Sequence, residues 1–223
     1  MAPRWSGGSD DVKALIFDLD NCLCPARAVG ESCLEPAFAA IRAAAPACFD
    51  AGRLRRVFRD CWTHDFESVC ERHGLTPVMR ATGFAAFGAL EARSAIAGYG
   101  DLPLLRSLPR PRFLVTSGFS RLQQSKVRAL GLAAEFDRVF VDAVDLPPRK
   151  GKQGIFEDIL ADGTWRGPDV WIVGDNPDSE LAAGRALGCT TVQMVRPGIT
   201  PDPRATHQVR GLRGLRSLIA ERA

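Results

Sequence analysis

Residues 14–27 read ALIFDLDNCLCPAR: four apolar residues run straight into two acids, Asp18 and Asp20, with only Leu19 between them. A strand covered by helices on both faces is apolar throughout instead of alternating. Such a strand ordinarily leaves its core through a turn residue with at most one charge. Two carboxylates at its mouth mark the carboxyl end of a buried parallel strand, where an open α/β sheet holds its ligands.

The same kind of run recurs downstream. Strands are expected at 13–17, 112–116 (RFLVT), 138–142 (RVFVD), 169–174 (DVWIVG) and 190–194 (TTVQM). Helical periodicity fills 120–130, 151–160 and 179–187, and a last helix is expected at 212–221. Strand and helix in alternation imply βαβ units and a parallel sheet. Residues 25–100 differ: they carry no strand signal, and helices are expected at 35–45, 51–72 and 77–95, with Gly74 and the Gly98-Tyr99-Gly100 cluster as breaks. The expected fold class is α/β, a doubly wound parallel sheet. Residues 1–24 and 101–223 form this core, and a helical cap of residues 25–100 is inserted after the first strand.

Composition narrows the function. With 46% hydrophobic residues among 223, a sizeable core can form, and the formal charge of +3 comes without a dense basic block. A nucleic-acid polymer is therefore not expected as partner. No apolar run reaches membrane-span length, so no membrane partner is expected either. The leader MAPRWSGGSDD has no apolar stretch and reads as a flexible tail, not a secretory signal. Seven cysteines are an odd number in a chain too large to need disulfide staples, which favours reduced thiols and a cytoplasmic location. Cys22 and Cys24, two apart, lack the spacing of a zinc site.

The expected strand ends carry complementary groups: Asp18 and Asp20 in DLDN, Thr116 in LVTSG, and Asp175, Asp178 and Glu180 in GDNPDSE. The basic turn PPRKGK puts Lys150 just before a helix. Carboxylates from two strand ends, with a hydroxyl and an ammonium, suit a hard cation plus an anionic group; Mg²⁺ takes one or two carboxylates and shares a phosphate oxygen. A carboxylate can also be a nucleophile that forms an aspartyl phosphate. A second acid two residues on is placed to protonate a leaving alkoxide and then to deprotonate water.

DLDNC, TSG, a lysine before GIFEDIL, and VGDNPDSE, in that order, resemble the four motifs of the haloacid dehalogenase-like (HAD) hydrolases. FDLDNCL is particularly similar to the pyrimidine 5′-nucleotidase branch. The resemblance implies a Rossmann-like core with an α-helical cap and a Mg²⁺-dependent phosphatase. Its substrate would be a small phosphorylated metabolite, with nucleoside monophosphates leading. It implies Asp18 as nucleophile and Asp20 as general acid/base. Mg²⁺ would be held by the side chains of Asp18 and Asp175 and the backbone carbonyl of Asp20. Thr116 would hydrogen-bond a phosphoryl oxygen and Lys150 would neutralise the nucleophile and phosphoryl charge. Ser117, Gly118 and Asn21 complete the expected substrate-binding set, Gly118 letting backbone approach the phosphate and Asn21 holding the loop after the nucleophile.

Three departures stand out. Cys22 replaces a common threonine. Gly151 follows Lys150 where proline is common; Phe156, six residues on, supports that register, but Lys152 could take the lysine's place. In the last motif Glu180 has the spacing of the second acid and Asp178 competes with it. A phosphomutase would use the same core. A dehalogenase has no use for an acid at Asp20 or for Mg²⁺. A binding protein on a degenerate core would lack a catalytic residue, and none is missing.

Overall fold

The apolar run at Ala14 is the third strand of a six-stranded sheet. In the computed structural model, which describes residues 12–222, the strands are β1 (Ala14–Phe17), β2 (Arg112–Gly118), β3 (Arg138–Ala143), β4 (Val170–Gly174), β5 (Thr190–Met194) and β6 (His207–Val209). All neighbours are parallel, in the order β3-β2-β1-β4-β5-β6. The leader, residues 1–11, lies outside the described residues.

Alternate β1 side chains enter different cores, which explains its unbroken apolarity. Leu15 and Phe17 join Trp171, Val127 of α5 (Ser120–Ala129), and Leu212, Leu215 and Ile219 of α8 (Leu212–Ala220). Ala14 and Ile16 join Ile155, Phe156 and Ile159 of α6 (Gly151–Gly163) and Leu181 of α7 (Glu180–Ala186). From β1 the sheet grows one way through β2 and β3, and the other through β4, β5 and β6. The reversal between β1 and β4 opens the crevice beyond their carboxyl ends.

Four helices lie between β1 and β2: α1 (Glu31–Ala43), α2 (Ala51–Asp60), α3 (Phe66–His73) and α4 (Pro77–Gly88). They close their own apolar cluster around Phe38, Ile41, Phe66, Met79 and Phe87. Phe119, Leu122 and Val144 join that cluster from segments just past β2 and β3, so the cap rests on the carboxyl end of the sheet.

Several elements differ from their expected bounds. The helix expected at 51–72 is two, because Asp65 starts a new one by accepting from Ser68 N at 2.9 Å. The expected 77–95 helix stops at Gly88. Its continuation is pulled onto α5, where Ala92 N donates to Ser125 Oγ at 2.8 Å. Helix α1 begins at Glu31, four residues early, because Gly30, with φ 78°, makes the turn into it. Strand β6, only HQV, is too short and polar to show in a hydrophobic pattern.

Candidate active site

Strand register brings the two distant acidic motifs together. Phe17 pairs with Val173, and Asp18 N donates to Val173 O at 2.9 Å. Asp18 and Asp175, each just beyond its strand, therefore sit at neighbouring strand ends. Oxygens of Asp18, Asp175 and Glu180 all lie within 4.8 Å of one another, and all three residues are buried. Phe17 pairs with Leu114 across the other edge of β1, which carries Thr116, 1% exposed, to the same end of the sheet.

Lys152 closes this acidic cluster. Its ammonium donates to Asp18 Oδ1 at 2.7 Å and to Glu180 Oε2 at 2.8 Å. Glu180 is fixed in turn by Asn176 N, which donates to its Oε1 at 2.7 Å. Gly174 makes room for this: a Cβ there would fall 2.3 Å from Glu180 Oε1. Asp178, by contrast, is exposed and pairs with Arg204. Of the two acids left open by the sequence, Glu180 is the one inside the site.

The lysine expected at the nucleophile was Lys150, and here the structure corrects the reading. Lys150 is exposed and its ammonium pairs with Asp158 at 2.6 Å. The reason is helical phase. Lys152 lies four residues before Phe156 and so shares the inward face of α6, whereas Lys150 precedes the helix. The periodicity of Ile155, Phe156 and Ile159 was the sequence signal that picks Lys152.

The loop after Asp18 is a tight buried turn. Leu23 N and Cys24 N both donate to Leu19 O, and Asn21 takes a left-handed conformation with φ 55°. The Asn21 side chain accepts from Ala26 N at 3.1 Å. Asn21 thus ties the loop after Asp18 to Ala26. Ser117 donates to Asp142 Oδ2 at 3.1 Å, and Arg149 grips the same carboxylate at 2.6 Å, so the Ser117 hydroxyl is turned toward β3. Gly118 has φ 149°, and a Cβ there would lie 2.6 Å from Gln123 Nε2.

Asp20 has a partner that no local pattern announced. Both its carboxylate oxygens are held by Lys126 Nζ of α5, and Gln123 Nε2 adds a contact at 3.3 Å.

Electrostatics in the cluster are unbalanced: three carboxylates face one ammonium. Burial first, then Glu180 and Asp20, push the Asp18 carboxyl up to about 7, against the pull of Lys152. Burial, Asp18 and Glu180 push Asp175 up to about 8. For Lys152, burial pulls downward, but Asp18 and Glu180 outweigh it and the net direction is up. A compact set of hard oxygen donors with surplus negative charge fits a divalent cation such as Mg²⁺. Asp175 is the better donor, since Glu180 is committed to Lys152 and Asn176.

Known proteins agree with this architecture. A family model described as a haloacid dehalogenase-like hydrolase matches residues 12–188. No curated protein matches the chain. Among solved structures, a HAD phosphatase from Thermococcus onnurineus is similar at 20% identity and TM-score 0.64, over 95% of this chain and 100% of that one. YfnB from Bacillus subtilis, in a magnesium-bound form that reveals interdomain movement, gives 18% identity and TM-score 0.63, over 94% and 99%. A 2-haloacid dehalogenase from Pseudomonas syringae pv. Tomato DC3000 gives 17% and 0.57, over 95% and 100%.

Proposed function

This chain belongs to the haloacid dehalogenase-like hydrolase family, and on that premise we propose that it is a Mg²⁺-dependent phosphatase of small phosphomonoesters. The observation that carries the reading is the gathering of Asp18, Asp175 and Glu180 around surplus negative charge, with Asp20 two residues after Asp18 in the chain and held by Lys126. The similarity to a magnesium-bound protein and to a HAD phosphatase supports it.

In this reading Asp18 is the nucleophile. Its carboxylate oxygen forms a bond to phosphorus as the bond from phosphorus to the leaving oxygen breaks, and the departing alkoxide takes a proton from the Asp20 carboxyl. Water then attacks the aspartyl phosphate, giving its proton back to Asp20 as the bond from Asp18 to phosphorus breaks. Lys152 holds Asp18 in one orientation and offsets charge as an anionic phosphoryl group approaches a carboxylate. Thr116, from the end of β2, would donate to a phosphoryl oxygen. A Mg²⁺ ion, held by Asp18, Asp175 and the Asp20 carbonyl, would supply charge neutralisation for the phosphoryl oxygens. Nucleoside 5′-monophosphates are the leading substrate class, on the likeness of FDLDNCL.

A dehalogenase is the second reading, because a 2-haloacid dehalogenase is among the similar structures. The test is a panel of phosphomonoesters and 2-haloacids, each with Mg²⁺ and with excess EDTA. Phosphate release that EDTA abolishes and Mg²⁺ restores is expected. Halide release that EDTA leaves untouched, without phosphate release, would overturn the reading.

A further inference from the structure

Lys126 is an ammonium in a place where an apolar residue would serve packing as well. Its side chain is 4% exposed, and its neighbour Val127 belongs to the sheet's core. Burying a charge is costly unless it is paired, and among the described residues its anionic partner is Asp20, through both oxygens. The Asp20 side chain is itself 25% exposed. Gln123, one turn earlier on the same helix and also buried, spans Asp20 Oδ2 at 3.3 Å and Ser117 O at 3.0 Å. Its amide is oriented by this pair, since the reverse orientation would aim an oxygen at two acceptors. Two contacts from Lys126 and one from Gln123 fix the plane of the Asp20 carboxylate.

The same helix grips the linker that leads back from the cap. Buried Ser125 accepts from Ala92 N at 2.8 Å, and Glu91 is held by Arg121 at 2.8 Å and by Arg128 at 3.1 Å. One short helix therefore touches the linker and Asp20 at once.

We propose that Lys126 and Gln123 are positioning residues for Asp20, and that α5 sets the Asp20 carboxylate relative to the cap linker at residues 91–92. The proposal rests on the reading of Asp20 as general acid/base given under Proposed function. Neither residue touches substrate. Each acts by holding Asp20 where the leaving oxygen will be, and a misplacement of about 1 Å can cost on the order of 10²-fold in rate.

The experiment compares Lys126→Met, Lys126→Arg, Gln123→Leu and Asp20→Asn on an alkyl phosphate and on p-nitrophenyl phosphate. Lys126→Met is expected to lower kcat on the alkyl phosphate by up to about 10²-fold, with KM little changed and a much smaller loss on p-nitrophenyl phosphate, whose leaving group needs little protonation. Asp20→Asn should show the same asymmetry, larger, and Lys126→Arg should restore part of it. Equal losses on both substrates would overturn the proposal. Crystal structures of wild type and Lys126→Met give the second readout: one carboxylate orientation at Asp20 is expected in the first and a rotated or divided one in the second. An unchanged Asp20 would overturn the proposal even if rates fell. Should Lys126→Met fail to fold, Gln123→Leu and Lys126→Arg carry both readouts. If the wild type hydrolyses neither phosphate, the functional reading fails, and the Asp20 orientation still decides the positioning claim.

Discussion

Lys152 sits 9% exposed between two carboxylates, whereas Lys150, two residues away, pairs with Asp158 at the surface. Lys152→Met should cut kcat/KM on a phosphomonoester by about 10²–10³-fold, the usual effect of removing one preorganised charge donor. Lys150→Met removes an exposed ion pair worth at most about 1 kcal/mol and should leave the rate nearly unchanged. Steady-state kinetics on the two variants decides between them, and the opposite ranking would reject the assignment to Lys152. At this scale the acids were legible because each ends an apolar run, as Asp18 follows ALIF and Asp175 follows VWIVG. The lysine was legible only through the helical phase that Lys152 shares with Ile155, Phe156 and Ile159, while the motif spacing from Phe156 pointed to Lys150. Lys126 lies on an amphipathic helix like any other, and only the folded sheet brings it to Asp20.

Among the elements, the β-α alternation of the core was readable from periodicity, but the cap's internal breaks were not. Apolar spacing continues across residues 61–65, while the chain itself turns. Asp65 opens α3, and His73 at its far end meets Asp60 at 2.9 Å, folding α3 back against the end of α2. Asp65→Ala removes the helix N-cap and should cost about 1 kcal/mol. For a chain of this size that is a fall of roughly 2–4 °C in melting temperature. Thermal denaturation followed by circular dichroism measures it, and no shift at all would show that α3 does not depend on this cap.

For the molecule as a whole, the crowded carboxylates make stability depend on proton and cation together. Asp18 at about 7 and Asp175 at about 8 lie far above their ordinary 3.8. Between about pH 4 and pH 8 the metal-free folded protein then binds more protons than the unfolded chain. The contribution is complete at low pH and is lost as pH rises through those two values. In EDTA, the melting temperature should therefore decline from mildly acidic to mildly alkaline solution through these groups. Mg²⁺ competes with the same protons, so it should raise the melting temperature more at about pH 8 than at about pH 6. Equal Mg²⁺ shifts at both pH values would remove Asp18 and Asp175 as its ligands. The cap gives a second expectation at this scale. It packs on Phe119 and Val144 just beyond two strand ends, so it should admit small phosphomonoesters and exclude a phosphoserine on a folded protein. Comparable kcat/KM on the two would rule out a covered site.

The place of β1 in the sheet has a consequence for how the protein is made. It is synthesised before the other five described strands of the sheet, yet Leu15 pairs with Arg112 on one side and Trp171 on the other. At translation rates of about 5–20 residues per second, a wholly apolar strand waits roughly 5–20 s for its first edge partner and longer for its second. The four cap helices emerge in that interval with an apolar cluster of their own, and can condense while the strand is still alone. Nascent chains halted before β2 should therefore show a protease-resistant cap beside an accessible β1, and they are the species a chaperone for exposed apolar segments would meet.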